Sequence, residues 1–220
     1  NINVDDIFAG ENYTLNDNIN DGDILDFQGS ITKNHSIIFN KAVNVTTSTH
    51  DAYISLNTTA GNLFGSEPGN SFIVNSGASY SNFTGLYLYN TQFWVTNANH
   101  IVFDNMSMVV SDKRVGSGVG QTSIRQNSSY ITLKNSYIYT KNNGGSSSLV
   151  LAYANYCTLD NNTIVGEGTV GNLIYLTTYN VNIPKDQLAN CHNNITNNRV
   201  IGPSNRQSTC YALAITGFDN

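Results

Sequence analysis

One short phrase recurs four times in this chain, at Ile101–Val109, Ile131–Tyr139, Cys157–Val165 and Asn193–Ile201. Each copy is a strand-like run broken by asparagine. In the first, Ile101, Phe103 and Asn105 alternate with Val102 and Asp104, the period of two that sends alternate side chains of an extended strand to one face. Superposed, the copies give columns: Ile101, Ile131 and Cys157; then Phe103, Leu133, Leu159 and Ile195; then Asn105, Asn135, Asn161 and Asn197. The asparagines are separated by 30, 26 and 36 residues, so the strands keep their length while the connections vary. Constant strands with variable connections characterise a solenoid.

The columns predict an all-β fold, a parallel β-helix with variable loop insertions, whose equivalent strands stack about 4.8 Å apart. Asparagine tolerates the left-handed backbone of a tight bend, and its amide can bond to the equivalent amide one coil away. The expectation is an internal ladder of Asn105, Asn135, Asn161 and Asn197, superimposed inside the tube. Gly85 takes the asparagine position in the first complete coil, where Phe83 matches Phe103. Counting seven residues back from Ile101, Ile131 and Cys157 gives Trp94, Ile124 and Val150 as an apolar column on a third strand.

The 220 residues fit a single domain, 1–220, with residues 1–40 serving as an N-terminal cap or first coil. Only 11% of the residues are charged, while 35 are asparagine, so polarity comes from amides and hydroxyls. A net charge of −5 with ten scattered Lys and Arg argues against nucleic acid as a partner. No apolar run is long enough to span a membrane. Nine Asn-X-Ser/Thr sequons fit a secreted or cell-surface protein, although Asn105 and Asn161, as internal ladder residues, would be poor acceptors. The chain stops at Gly217–Asn220 without an evident cap, so the expectation is a piece of a longer surface protein.

Three cysteines are too few for a disulfide framework, and Cys157 in the Ile101 column reads as a buried thiol. No cofactor is expected. Asp17, Asp21 and Asp23 with Gly22 approach a calcium loop, but Ile19 stands where an oxygen ligand is needed. His35, His50, His100 and His192 lack metal-ligand or triad context, and read as surface or turn residues.

Outward side chains supply the functional candidates. Asp104, Lys134 and Asp160 each precede a ladder asparagine and should stand in a row on successive coils. With Arg125 as an outward base they are the set a polysaccharide lyase or glycoside hydrolase would draw on. A plain column of alternating charge explains the same row. On another strand Leu88, Met108, Ile138 and Ile164 point inward, leaving Tyr87, Tyr89, Tyr137 and Tyr139 outside. Such tyrosines can stack on sugar rings while neighbouring hydroxyls and amides bond to them, and they are also favourable strand residues.

The segments Phe39–Val45 (FNKAVNV), Gly118–Arg125 (GVGQTSIR), Lys141–Leu149 (KNNGGSSSL), Leu159–Gly166 (LDNNTIVG), Gly171–Leu176 (GNLIYL) and Asn193–Gly202 (NNITNNRVIG) resemble the adhesin-like surface proteins of methanogenic archaea. That family is similar to the pectate-lyase type of right-handed parallel β-helix. The resemblance covers most of the chain from about residue 36. It implies right-handed coils, a place outside the cell at the surface or wall, attachment to a glycan or protein of another cell, and no catalytic motif. The resulting expectation is a non-enzymatic adhesin or stalk module with carbohydrate as its ligand class; the alternative is a β-helical polysaccharide lyase or hydrolase.

Overall fold

In the recurrent phrase, the period-two pattern becomes two strands meeting at a bend: Asn99–Asp104 then Ser107–Val110, Thr122–Lys134 then Tyr137–Asn142, Thr158–Asp160 then Thr163–Gly168, and Asn194–Thr196 then Arg199–Ile201. The computed structural model describes residues 2–3, 6–56, 70–111, 122–142, 147–178, 181–205 and 209–216. These residues form an all-β chain without α-helices, and their strands are mostly parallel and lie in curled sheets. Antiparallel pairing is confined, among the described residues, to Phe8–Ala9 against Thr14–Leu15.

Among the described residues the larger sheet has 16 strands and the smaller seven. The larger one bends because Thr122–Lys134 runs through a corner: residues 122–125 pair with Gln92–Thr96, and residues 129–134 pair with Asn99–Asp104. Three faces result. Face A carries the strands of Asn99–Asp104 and Thr158–Asp160, face B those of Gln92–Thr96 and Asn172–Thr177, and face C, the smaller sheet, those of Ser107–Val110 and Thr163–Gly168.

Register makes the columns. On face A, Leu25, Val45, Phe83, Phe103, Leu133, Leu159 and Ile195 are successive partners. Ile31, Ile54, Leu88, Met108, Ile138, Ile164 and Val200 follow one another on face C. Both columns belong to one continuous hydrophobic core or pack against it. Each such side chain, once buried, contributes about 1.5–3 kcal/mol through the water it leaves. On face B the third column departs from its expected register by one residue at Ile124. Trp94 pairs with Ser123, which pairs in turn with Val150, while Ile124 pairs with Val95 and Leu151. Counting back a constant seven residues fails at Ile124 because the pairing register slips between Arg125 and Ser128 at the corner.

The asparagine ladder is corrected in position. Asn105, Asn135, Asn161 and Asn197 hold the left-handed backbone at the A-to-C bend, with φ of 54°, 51°, 53° and 55°, and Gly85 there has φ 75°. Their side chains are nevertheless exposed, on the outer side of the bend. They stack only in part: Asn161 Nδ2 donates to Asn135 Oδ1 at 2.8 Å, whereas Asn135 and Asn197 donate to Asp104 and Asp160. Asn105 and Asn161 are thus exposed sequons rather than internal ones.

The internal ladder lies one residue later. Ser136 N donates to Asn162 Oδ1 at 3.0 Å and Asn162 N to Asn198 Oδ1 at 2.9 Å, while Met106 N donates to Ser136 Oγ. A two-residue bend explains the shift: its first residue takes the left-handed conformation and faces water, and its second turns inward, where unpaired backbone N–H groups need acceptors.

At the N-terminal end, the antiparallel strand Phe8–Ala9 forms the edge of face B. At the other end, Leu213 and Ile215 continue the core columns of Ile174 and Leu176 but are 47% and 56% exposed. In the acidic turn, Asp21 Oδ1 accepts from Ala42 N and Asp23 Oδ2 from Asn20 N, both at 2.8 Å. Ile19 is buried there. Asp23 thus serves the turn's own backbone and Asp21 that of Ala42, and no cluster of three ligand-type side chains gathers among the described residues.

Candidate functional site on the outward faces

Strand alternation puts the core columns inside and sends their neighbours outward. On face C this exposes Tyr87 and Tyr137 beside buried Leu88 and Ile138, with Tyr89 and Tyr139 half-buried. Tyr53, Tyr87 and Tyr89 form a cluster with ring centroids 5.4–6.5 Å apart. Ser107 and Val109 separate this cluster from Tyr137 and Tyr139 in register, leaving a low step of one strand between two groups of rings. Tyr89 Oη bonds with Ser111 Oγ, and Tyr139 Oη donates to Glu167 at 2.9 Å. Desolvation and the Glu167 bond push the Tyr139 phenol up to about 12, and desolvation with nearby Tyr53 and Tyr89 raises Tyr87. Both therefore remain neutral phenols at neutral pH.

The charged row on face A is in register, with Asp104 beside Lys134 and Lys134 beside Asp160. Lys134 Nζ lies 3.4 Å from Asp104 Oδ2. Asp160 Oδ1 accepts from Thr196 Oγ1 and Asn197 Nδ2, bonds that hold its carboxyl below the ordinary value, with Lys134 adding a smaller effect. A catalytic general acid needs a carboxyl raised toward neutrality. Asp160 is shifted the other way.

Arg125 stands on an outward column of face B, next to Trp94 and Ser123, but is fully buried rather than presented to solvent. Its guanidinium lies over the Trp94 ring, 4.5 Å from the centroid. Burial lowers its pKa to about 10, which still leaves a cation at neutral pH. The structure therefore does not join Arg125 to Asp104, Lys134 and Asp160: they occupy different faces.

The largest outward feature was not anticipated. At the B-to-A corner Tyr80, His100, Tyr130, Tyr156 and His192 stack face to face, with centroids 4.9, 4.7, 5.0 and 4.7 Å apart and planes within 16° of parallel. All five are exposed. All five also have left-handed backbones, with φ from 53° to 70°. That conformation costs a bulky residue roughly 1–2 kcal/mol. Each stacked pair returns about 0.5–1.5 kcal/mol, so the stacking offsets part of that cost. Asparagine holds the same φ at the opposite bend at less cost. The signal was in the sequence: each ring directly precedes a column residue, Ser81, Ile101, Ile131, Cys157 or Asn193.

No protein-family model, curated protein or solved structure matches the chain.

Cys157 and Cys191 are free thiols. Cys157 is buried, and desolvation raises its pKa to about 11. Because the thiolate is the reactive form, Cys157 should resist a thiol-specific reagent at pH 8 in the native protein and react once the chain is denatured. Cys191 and Cys210, half-buried, should react first. Mass mapping of labelled peptides checks the order; early labelling of Cys157 would contradict its burial.

Proposed function

We propose that this chain is a module of an extracellular adhesin or stalk, built as a right-handed parallel β-helix, that binds carbohydrate and does not cleave it. The observation that carries this reading is the outward surface: exposed aromatic rings, above all the stacked Tyr80, His100, Tyr130, Tyr156 and His192, set among hydroxyls and amides with few charges. Aromatic faces and neutral donors suit sugars, which offer C–H faces and hydroxyls together. The β-helix reading is supported by parallel partners that recur on three faces with unbroken inward columns. Resemblance to the adhesin-like surface proteins of methanogens supports the location and the attachment role. No helix among the described residues is long and apolar enough to cross a membrane.

The lyase or hydrolase alternative draws on Asp104, Lys134, Asp160 and Arg125. Against it stand the lowered carboxyl of Asp160 and the burial of Arg125 away from the row. The test is affinity electrophoresis of the chain through gels containing neutral or acidic polysaccharides, with product analysis of the same mixtures with and without calcium. Retardation without new chain ends is expected. New reducing or unsaturated ends would overturn the non-enzymatic reading, and no retardation on any polysaccharide would overturn the binding role.

A further inference from the structure

Resting on the carbohydrate reading above, we infer that the glycan site is the outer face of face A, where a linear, uncharged polysaccharide lies along the winding axis beside the stacked rings of Tyr80, His100, Tyr130, Tyr156 and His192. Two parallel rails border this face. One is the ring column; the other is the exposed amide column of Asn105, Asn135, Asn161 and Asn197, five residues further along each strand. At about 3.3 Å per residue the rails stand roughly 16 Å apart. The floor between them is low, formed by short side chains such as Val102, Thr132 and Thr158, and by the row Asp104, Lys134 and Asp160.

Three features select the ligand. The rings repeat at 4.7–5.0 Å, so each winding offers an aromatic ring displaced by one strand spacing. A polymer of identical units meets that repetition in every register, whereas a folded protein surface does not. The floor charges alternate and include two carboxylates in a chain of net charge −5, which opposes a polyanion. Finally, Tyr80 ends the column with a freer ring: it is 68% exposed against 47% for Tyr130 and Tyr156, and the equivalent position one winding earlier is Ala42, which has no ring. Its outer side can take a sugar's C–H face, while the edges and polar atoms of the other rings meet hydroxyls.

The ring column can be removed without breaking the bend, because asparagine already holds the same backbone conformation at Asn135 and Asn161. The experiment runs the full chain through gels containing hydroxyethylcellulose, mannan or polygalacturonate, comparing the unaltered protein with Tyr130→Asn/Tyr156→Asn and with the face C pair Tyr87→Ser/Tyr137→Ser. Circular dichroism confirms that each variant is folded. Retardation by a neutral glycan should fall at least about tenfold for the face A pair and less than about twofold for the face C pair. Loss in the face C pair with retention in the face A pair overturns this site while leaving the carbohydrate reading intact. Retardation by polygalacturonate alone overturns the choice of an uncharged ligand. If the unaltered chain is retarded by none of the three, the binding role and this site fall together.

Discussion

Phe39→Ala should lower the thermal midpoint by about 10 °C, the largest effect expected of a single substitution in this chain. Phe39 is fully buried, and its ring meets Phe8, Phe27, Phe72 and Phe83 at centroid distances of 5.3, 6.3, 4.9 and 5.0 Å. These neighbours come from four different strands, Phe8–Ala9, Ile24–Gln28, Ser71–Val74 and Asn82–Thr84, so one side chain ties these strands together across the core. Truncation removes its transfer free energy and leaves a cavity that four stacked or edge-on rings fill poorly, a loss of roughly 3–5 kcal/mol. At about 2–4 °C per kcal/mol for a chain of this size, that gives the stated shift. Phe39→Leu keeps most of the volume and should cost less than about 1.5 kcal/mol. Thermal unfolding followed by circular dichroism checks both. An Ala variant as stable as the Leu variant would mean that the N-terminal strands do not share this core.

Asn162→Ala should cost about 2–5 kcal/mol, whereas Asn161→Gly, at the adjacent residue, should stay within about 0.5 kcal/mol. Asn162 is 1% exposed; its Oδ1 accepts from Ser136 N at 3.0 Å and its Nδ2 donates to Leu133 O at 2.9 Å. Alanine leaves both backbone groups without that partner in a region closed to water, and each such loss costs roughly 1–3 kcal/mol. Asn161 is exposed, and glycine adopts its φ of 53° without strain, so only a solvated amide bond to Asn135 is lost. Chemical denaturation of the two variants separates the roles directly. Equal destabilisation would show that the outer amides hold the bend as strongly as the inner ones.

The same pair of residues shows how far the repeat can be read in advance. Period-two alternation identifies which residues of each phrase point inward, and Phe103, Leu133 and Leu159 do so in register. It also identifies the bend, because a recurring asparagine at the end of an apolar strand marks a left-handed backbone. It does not say which of two consecutive bend residues turns inward. That depends on where the chain leaves the plane of the strand, and Asn161-Asn162 in sequence looks the same either way. Tyr87, Tyr89, Tyr137 and Tyr139 were placed outside by the same alternation. The ring column was visible as Tyr80, His100, Tyr130, Tyr156 and His192, one residue before each inward position, yet nothing in single residues announces that their planes will stack.

Sequence by itself determined the repeating strands, the inward columns, the sparing use of charge and the bends, because each follows from local period, side-chain polarity and backbone tolerance. Tertiary structure alone decided the register slip beside Arg125, the burial of that guanidinium over Trp94, and the alignment of five rings from five separate segments. Those features depend on how segments 20 to 36 residues apart settle against one another, and that distance is set by connections whose lengths the repeat leaves free.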